Sequence, residues 1–206
     1  GWADAFASRA SALSRARDGD SVWVAQGTYA PEAERGVANP RAASFRLVEG
    51  VSLYGGFRGD ELGLGARDAL AHATVLSGAV GDANTTADNA YHVVTGGVAR
   101  AVLDGFVIAG GNADGDGESG LGGGLLNSGA GVGGWPLVRG CVFRANAARH
   151  GGAAYNFVDA SARFVACRFE RNRALGDAYA GGNGGALGAS DGANISVSDR
   201  DLRSNT

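Results

Sequence analysis

Across the second half of the chain, apolar side chains come in short runs that alternate with polar ones and are cut apart by Gly, Asn and Asp. The runs are Leu103 to Ile108, Val138 to Phe143, Phe164 to Phe169 and Val197 to Leu202. Period-two alternation over so few residues is the pattern of half-buried strands, and none of the intervals is long enough for a crossover helix. The runs also repeat. Gly140-Cys141-Val142-Phe143-Arg144-Ala145-Asn146 is matched by Ala166-Cys167-Arg168-Phe169-Glu170-Arg171-Asn172 and then by Asp199-Arg200-Asp201-Leu202-Arg203-Ser204-Asn205. Positions 143, 169 and 202 thus step by 26 and then 33 residues. Between them recurs a glycine element: Gly122-Gly123-Gly124-Leu125-Leu126-Asn127, Gly151-Gly152-Ala153-Ala154-Tyr155-Asn156 and Gly184-Gly185-Ala186-Leu187. Short strands in a fixed order without helices predict a β-solenoid of at least four coils, in which equivalent residues stack about 4.8 Å apart.

That stacking predicts three inward ladders: Phe106, Cys141 and Cys167; Ile108, Phe143, Phe169 and Leu202; and Leu103, Val138, Phe164 and Val197. Arg200 and Leu202 make the last coil atypical. Asn146, Asn172 and Asn205 are expected at a bend, where Asn tolerates the left-handed region and its amide bonds its neighbours. The separation of stacked Cys141 and Cys167 would admit a disulfide. Ladder side chains point the same way, however, and the pair is read as reduced core thiols.

In the first half, Trp2, Phe6, Ala10 and Leu13 fall at helical spacing before the stop Asp18-Gly19-Asp20, which predicts one amphipathic helix from Trp2 to Ala16. A solenoid exposes core and unpaired edges at its end, so this helix is expected to cover it. Strands are expected at Ser21 to Ala25, Ser44 to Val48, Val51 to Tyr54, Thr74 to Leu76 and Tyr91 to Thr95. The organisation expected is one domain over 1–206: a helical cap at 1–20, irregular first coils at 21–100, and repeat coils at 101–206 whose carboxyl end carries no cap.

Composition narrows the function. The chain has 206 residues, 45 % hydrophobic and 19 % charged, with 37 Gly, which is too apolar for disorder. A net charge of −3 leaves no basic footprint for nucleic acid, and no apolar run approaches the roughly 18 to 20 residues that cross a bilayer. Two cysteines are too few for a disulfide scaffold or a structural zinc site.

The order of cap helix, Gly19-Asp20-Ser21-Val22-Trp23-Val24, Gly27-Thr28-Tyr29, Gly50 to Phe57 and Tyr91-His92-Val93-Val94 resembles the amino-terminal part of right-handed parallel β-helix modules of bacterial surface proteins. The F-x-x-N and G-G-A elements are similar to the repeats of chlamydial polymorphic outer membrane proteins, whose passenger domains resemble autotransporter adhesins. The resemblance covers essentially the whole chain. It implies an all-β, right-handed parallel β-helix with an N-terminal capping α-helix, in an extracellular or bacterial cell-surface setting, with any signal peptide outside the given sequence. The function it implies is a non-catalytic adhesion or structural module that offers its faces to a glycan, a surface protein or a neighbouring copy. The uncapped carboxyl end leaves two readings open: a piece of a longer protein, or a subunit that stacks end to end into a fibre.

Parallel β-helices also carry polysaccharide lyases and glycoside hydrolases, so fold alone does not exclude an enzyme. Lyases of the chondroitinase or alginate type use a Lys–Arg pair, and all 18 basic residues here are Arg. The polygalacturonase pattern of N-T-D, D-D and G-H-G is missing, and Arg149-His150-Gly151 is the nearest histidine motif. Gly27-Thr28-Tyr29-Ala30-Pro31-Glu32 is not followed by the remaining pectin methylesterase segments. What survives is a rival polysaccharide-active enzyme using Asp and Arg, with no catalytic residue assigned. His92, in an apolar strand, reads as a hydrogen-bonded structural residue, and His72 and His150 as solvated turn residues.

No cofactor is required by the repeat, and calcium is the one candidate. Asp114, Asp116 and Glu118 alternate with glycines in one loop and could converge as oxygen ligands; Asp82, Asn84 and Asp88 form a second candidate loop, for which Asx turns are the favoured reading. Trp135 and Tyr179, in glycine-rich loops, are the candidate surface contacts for a glycan or protein.

Overall fold

A computed structural model describes residues 2, 5, 9–32, 39–82, 84–129, 135–176 and 184–206. Its strands make a parallel β-helix. Coil one comprises β1 (Ser21–Ala25), β2 (Gly27–Tyr29) and β3 (Phe45–Arg46); coil two comprises β4 (Ser52–Phe57), β5 (Thr74–Ser77) and β6 (Val94–Thr95). Coil three adds a fourth strand: β7 (Val102–Asp104), β8 (Phe106–Ala109), β9 (Asn112–Ala113) and β10 (Leu125–Ser128). Coils four and five repeat it as β11 (Leu137–Arg139), β12 (Val142–Arg144), β13 (Ala147–Ala148) and β14 (Ala154–Phe157), then β15 (Ser161–Val165), β16 (Arg168–Glu170), β17 (Arg173–Ala174) and β18 (Leu187–Ala189). β19 (Asn194–Ser198) and β20 (Asp201–Arg203) open a sixth coil.

Every named pairing is parallel and joins equivalent strands of successive coils. The first sheet runs β1-β4-β7-β11-β15-β19, the second β2-β5-β8-β12-β16-β20, the third β3-β6-β10-β14-β18, and the shortest β9-β13-β17. Register follows the expected ladders. Leu103, Val138, Phe164 and Val197 are successive partners, continued backwards through Leu53 and Val22. Ile108, Phe143, Phe169 and Leu202 do the same in the second sheet, preceded by Leu76 and Tyr29. Inside, Phe143 stacks on Phe169 at 5.2 Å, with Phe164 edge-on to both. The two cysteines are free and buried two residues before Phe143 and Phe169, at the position that Phe106 holds one coil earlier.

The bends explain the polar repeat. The residue in the left-handed region is the one before each Asn: Ala145, Arg171 and Ser204 have φ of 52°, 53° and 49°, and Gly110, at 76°, takes the equivalent place before Gly111. Asn146, Asn172 and Asn205 do not take that conformation, contrary to the sequence expectation. Their role is hydrogen bonding. Asn172 Oδ1 accepts from the backbone N–H and Nδ2 of Asn146 at 3.1 and 3.0 Å, and Asn205 Oδ1 accepts the same pair from Asn172 at 3.0 and 2.9 Å. Each Nδ2 also donates to a carbonyl of the preceding coil: Ile108, Phe143 and Phe169 in turn. A second Asn column, Asn127 and Asn156, runs inside the third sheet, with 3.2 Å between the amides.

The glycine element is a steric requirement. Gly151 has φ +62°, and a Cβ there would stand 2.5 Å from the Ala154 carbonyl; at Gly152 it would meet the carbonyls of Arg173 and Gly185 at 2.5 Å each. Coils can close at this corner only where no side chain intervenes.

Helix α1 (Arg9–Arg15) lies at the start of the chain, shorter than the 2–16 expected, and Leu13 and Ala16 pack against the core. Trp2 joins the cap with its ring tilted against Phe57 at 5.5 Å, and Phe57 itself stacks on Trp23 at 4.9 Å. Among the described residues no helix is long and apolar enough to cross a membrane.

Candidate functional site: a lateral groove on the third sheet

On the outer face of the third sheet, Arg46, Thr95, Leu126 and Tyr155 are register partners in one row. Alternation along each strand sends them outward while Phe45, Val94, Leu125 and Ala154 point into the core. Over the first three of these strands lies a groove of about 510 Å³, within the usual size of small-ligand clefts. Its floor is Thr95, Gly96, Leu126 and Val98. Hydroxyls of Ser44, Thr95 and Ser128 line it, and Ser44 Oγ and Thr95 Oγ1 are 2.9 Å apart. The charged lining is Arg46, Glu32 and Glu118.

The banks are braced by residues far apart in sequence. One is the segment Pro40 to Ser44; the other is the loop 114–121, with Glu118 in a 3-10 turn spanning Gly117–Gly120. Arg41 joins them. Its Nη2 donates to Asp114 Oδ1 at 2.6 Å and to the Asn112 carbonyl at 2.7 Å, and its Nε to the Asn89 carbonyl at 2.8 Å. Its guanidinium lies 4.2 Å from the centre of the Tyr91 ring. From the next coil Arg149 reaches the same loop, with Nη2 3.0 Å from Asp116 Oδ1 and Nε donating to the Asp114 carbonyl at 3.1 Å.

These contacts relocate the expected calcium ligands. Asp114 and Asp116 each pair with a guanidinium, and Glu118 faces the groove instead of turning toward them. In the second loop, Asp82 Oδ1 accepts from the N–H and Nδ2 of Asn84 at 2.9 and 2.8 Å, and Asp88 Oδ2 accepts the Asp82 N–H at 2.7 Å, which is an Asx-turn arrangement. Among the described residues no three His, Cys, Asp or Glu side chains gather in a way that could hold a metal ion. The physical reason is that composition shows the carboxylates but not the arginine and amide partners that the coils bring to them. Trp135 is 65 % exposed. Tyr179 lies outside the described residues.

Other polar clusters are structural. Asp104, on the outside of the first sheet but nearly buried, takes Arg67 Nη2 at 2.7 Å and Arg139 Nε at 2.6 Å, and Arg67 also lies over the Tyr54 ring. Thr74 Oγ1, fully buried, accepts the Gly56 N–H at 2.9 Å. His92 Nδ1 is 3.1 Å from the Gly122 carbonyl; burial pushes its imidazole down to about 4, against the pull of the Gly122 and Leu121 carbonyls. His72 Nδ1 is 3.1 Å from Gln26 Oε1, and His150 forms a parallel bridge with Leu121. Burial raises both thiols, Cys167 to about 11 and Cys141 further, so neither is a nucleophile in the folded coil.

A second cavity, about 790 Å³ and mainly apolar, lies between α1 and the first coils, lined by Leu13, Trp23, Leu53, Leu76 and Phe106 among others. It is the end of the solenoid core.

Sequence reasoning missed the groove because Arg46, Thr95 and Glu118 become neighbours only through coil register. The detectable signal was limited to the polar outward residues Arg46 and Thr95 of the first two third-sheet strands. Comparison with protein-family models, with curated proteins and with solved structures found no match to this chain.

Proposed function

We propose that this β-helix is a non-catalytic binding module of an extracellular or bacterial surface protein, and that the groove on its third sheet takes a glycan. The observation that carries this reading is the groove itself: hydroxyl-bearing and charged residues set along a regular sheet, with the apolar Val98 beside them. A sugar ring presents the same mixture, hydroxyls at its edge and C–H groups on its face. Asn146, Asn172, Thr74 and Asp104 are buried and hold backbone or arginine, which assigns them to the coil and not to chemistry. The surface setting rests on the resemblance of the repeats to those of surface adhesins.

One observation favours a second reading. Glu32 and Glu118 line the same groove, and paired carboxylates are the working groups of glycoside hydrolases. Incubation with neutral and acidic polysaccharides, following both retention of the glycan and appearance of new reducing ends or unsaturated products, separates the two. Binding without products is expected. Products released from one substrate and abolished in Glu118→Gln would replace the binding module with an enzyme.

A further inference from the structure

Most charged side chains near the groove are consumed by one another: Arg41 by Asp114 and Arg149 by Asp116. Arg46 and Glu118 are different. Both are exposed, both line the groove, and among the described residues neither is in an ion pair, with the other or with anything else. Arg46 is fixed by β3, whose register sets it beside Thr95; Glu118 is fixed by the 3-10 turn that Arg41 and Arg149 brace. Beside Glu32, the groove therefore presents Arg46 and Glu118 as opposite charges carried by different elements, a strand and a 3-10 turn.

We propose that it recognises a zwitterionic saccharide, an amino sugar that also carries a carboxylate, with Arg46 taking the carboxylate and Glu118 the ammonium. This rests on the reading of the groove as a glycan site. A guanidinium presents paired N–H groups that match a carboxylate, and a glutamate accepts from an ammonium, so each end of the ligand gains a charge-assisted hydrogen bond. A uronate would gain the first contact but bring its negative charge toward Glu118; a simple amino sugar would gain the second but bring its positive charge toward Arg46. Like-charge juxtaposition of this kind is what discriminates between ligands of equal size. The hydroxyls of Ser44, Thr95 and Ser128 favour a sugar over a free amino acid as the body between the two charges.

Titration calorimetry at low salt tests this with five small probes: muramic acid, which carries both charges; N-acetylmuramic acid, carboxylate only; glucosamine, ammonium only; glucose; and glycine, a zwitterion without a sugar. Muramic acid is expected to bind at least about tenfold more tightly than any other, the loss of one charge-assisted contact being about that large. Arg46→Gln should bring muramic acid down to the level of glucosamine, and Glu118→Gln down to that of N-acetylmuramic acid, with melting temperatures unchanged because both residues are exposed. A singly charged sugar or glycine matching muramic acid overturns the inference while leaving a ligand site in place. No sugar bound at all removes the glycan reading, and this inference with it.

Discussion

Asn172 is the most heavily used side chain of the corner column, and its truncation to Ala follows directly from the geometry. Its Oδ1 accepts two hydrogen bonds from Asn146, and its Nδ2 donates to the Phe143 carbonyl at 2.9 Å as well as to Asn205. Asn172→Ala leaves the Asn146 N–H without its partner and removes one bond each from Asn146 Nδ2, which keeps the Ile108 carbonyl, and from the Phe143 carbonyl, all inside the coil. Asn172 is fully buried and Asn146 is 1 % exposed. At about 1–3 kcal/mol for the one stranded N–H and about 1 kcal/mol for each bond lost beside it, less what water entering the vacated space restores, about 2–4 kcal/mol is expected. Asn205→Ala is the control. It removes a similar set of bonds at a side chain that is itself only partly buried, so that water can take the place of the lost amide more readily, and about 1 kcal/mol is expected. Urea unfolding followed by circular dichroism measures both, with comparison at constant slope so that a change in midpoint reports stability. A loss below 1 kcal/mol in Asn172→Ala, or equal losses in the two variants, would refute the view that this column holds the corner together.

Three other outcomes are expected. The thiols of Cys141 and Cys167 should be silent to a thiol reagent near pH 8 in the native protein and react only on unfolding. Since burial raises both, stability is full below the ordinary thiol range and falls as pH climbs through it toward about 11, a decline that Cys167→Ala should lessen. His92 has the opposite sense: its imidazole is depressed to about 4, so the unfolded chain takes up the proton first and stability drops as pH falls from about 6.5 toward 4; His92→Gln should flatten that part of an acid titration. Millimolar calcium or a chelator should leave the melting temperature unchanged, because Asp114 and Asp116 are held by Arg41 and Arg149; a rise with calcium would mean the ion displaces a guanidinium.

The coil was legible where each residue repeats its neighbour's environment. Phe143 and Phe169 occupy one column because the core there is the same from coil to coil, and such identity leaves a spacing that can be read. The first two coils obey the same register, with Leu53 beneath Leu103 and Leu76 beneath Ile108, yet long excursions at 58–73 and 78–93 break the period and hide it. The second asparagine column was on the page in Leu125-Leu126-Asn127 and Ala154-Tyr155-Asn156, though without a third member its stacking does not announce itself. The candidate site was the least legible part. Carboxylates clustered in sequence invite a metal, but Arg41 comes to Asp114 from 73 residues away. The Asp104 pairing likewise needs Arg67 and Arg139 from different coils. Pairings of that kind are set by register between strands, and composition carries no trace of them.

The claim on which the account turns is that a ligand sits in the groove of the third sheet and leaves it unchanged. Thr95 lies at the centre of the floor, between Arg46 and Leu126 in the outward row. The direct measurement is saturable binding of a fluorescent glycan identified by the panel, compared between the native chain and Thr95→Phe, with product formation followed in the same samples. Binding in the native chain, its loss in Thr95→Phe at an unchanged melting temperature, and no products are what the account predicts. Equal binding in both proteins would place the ligand elsewhere on the solenoid and contradict it.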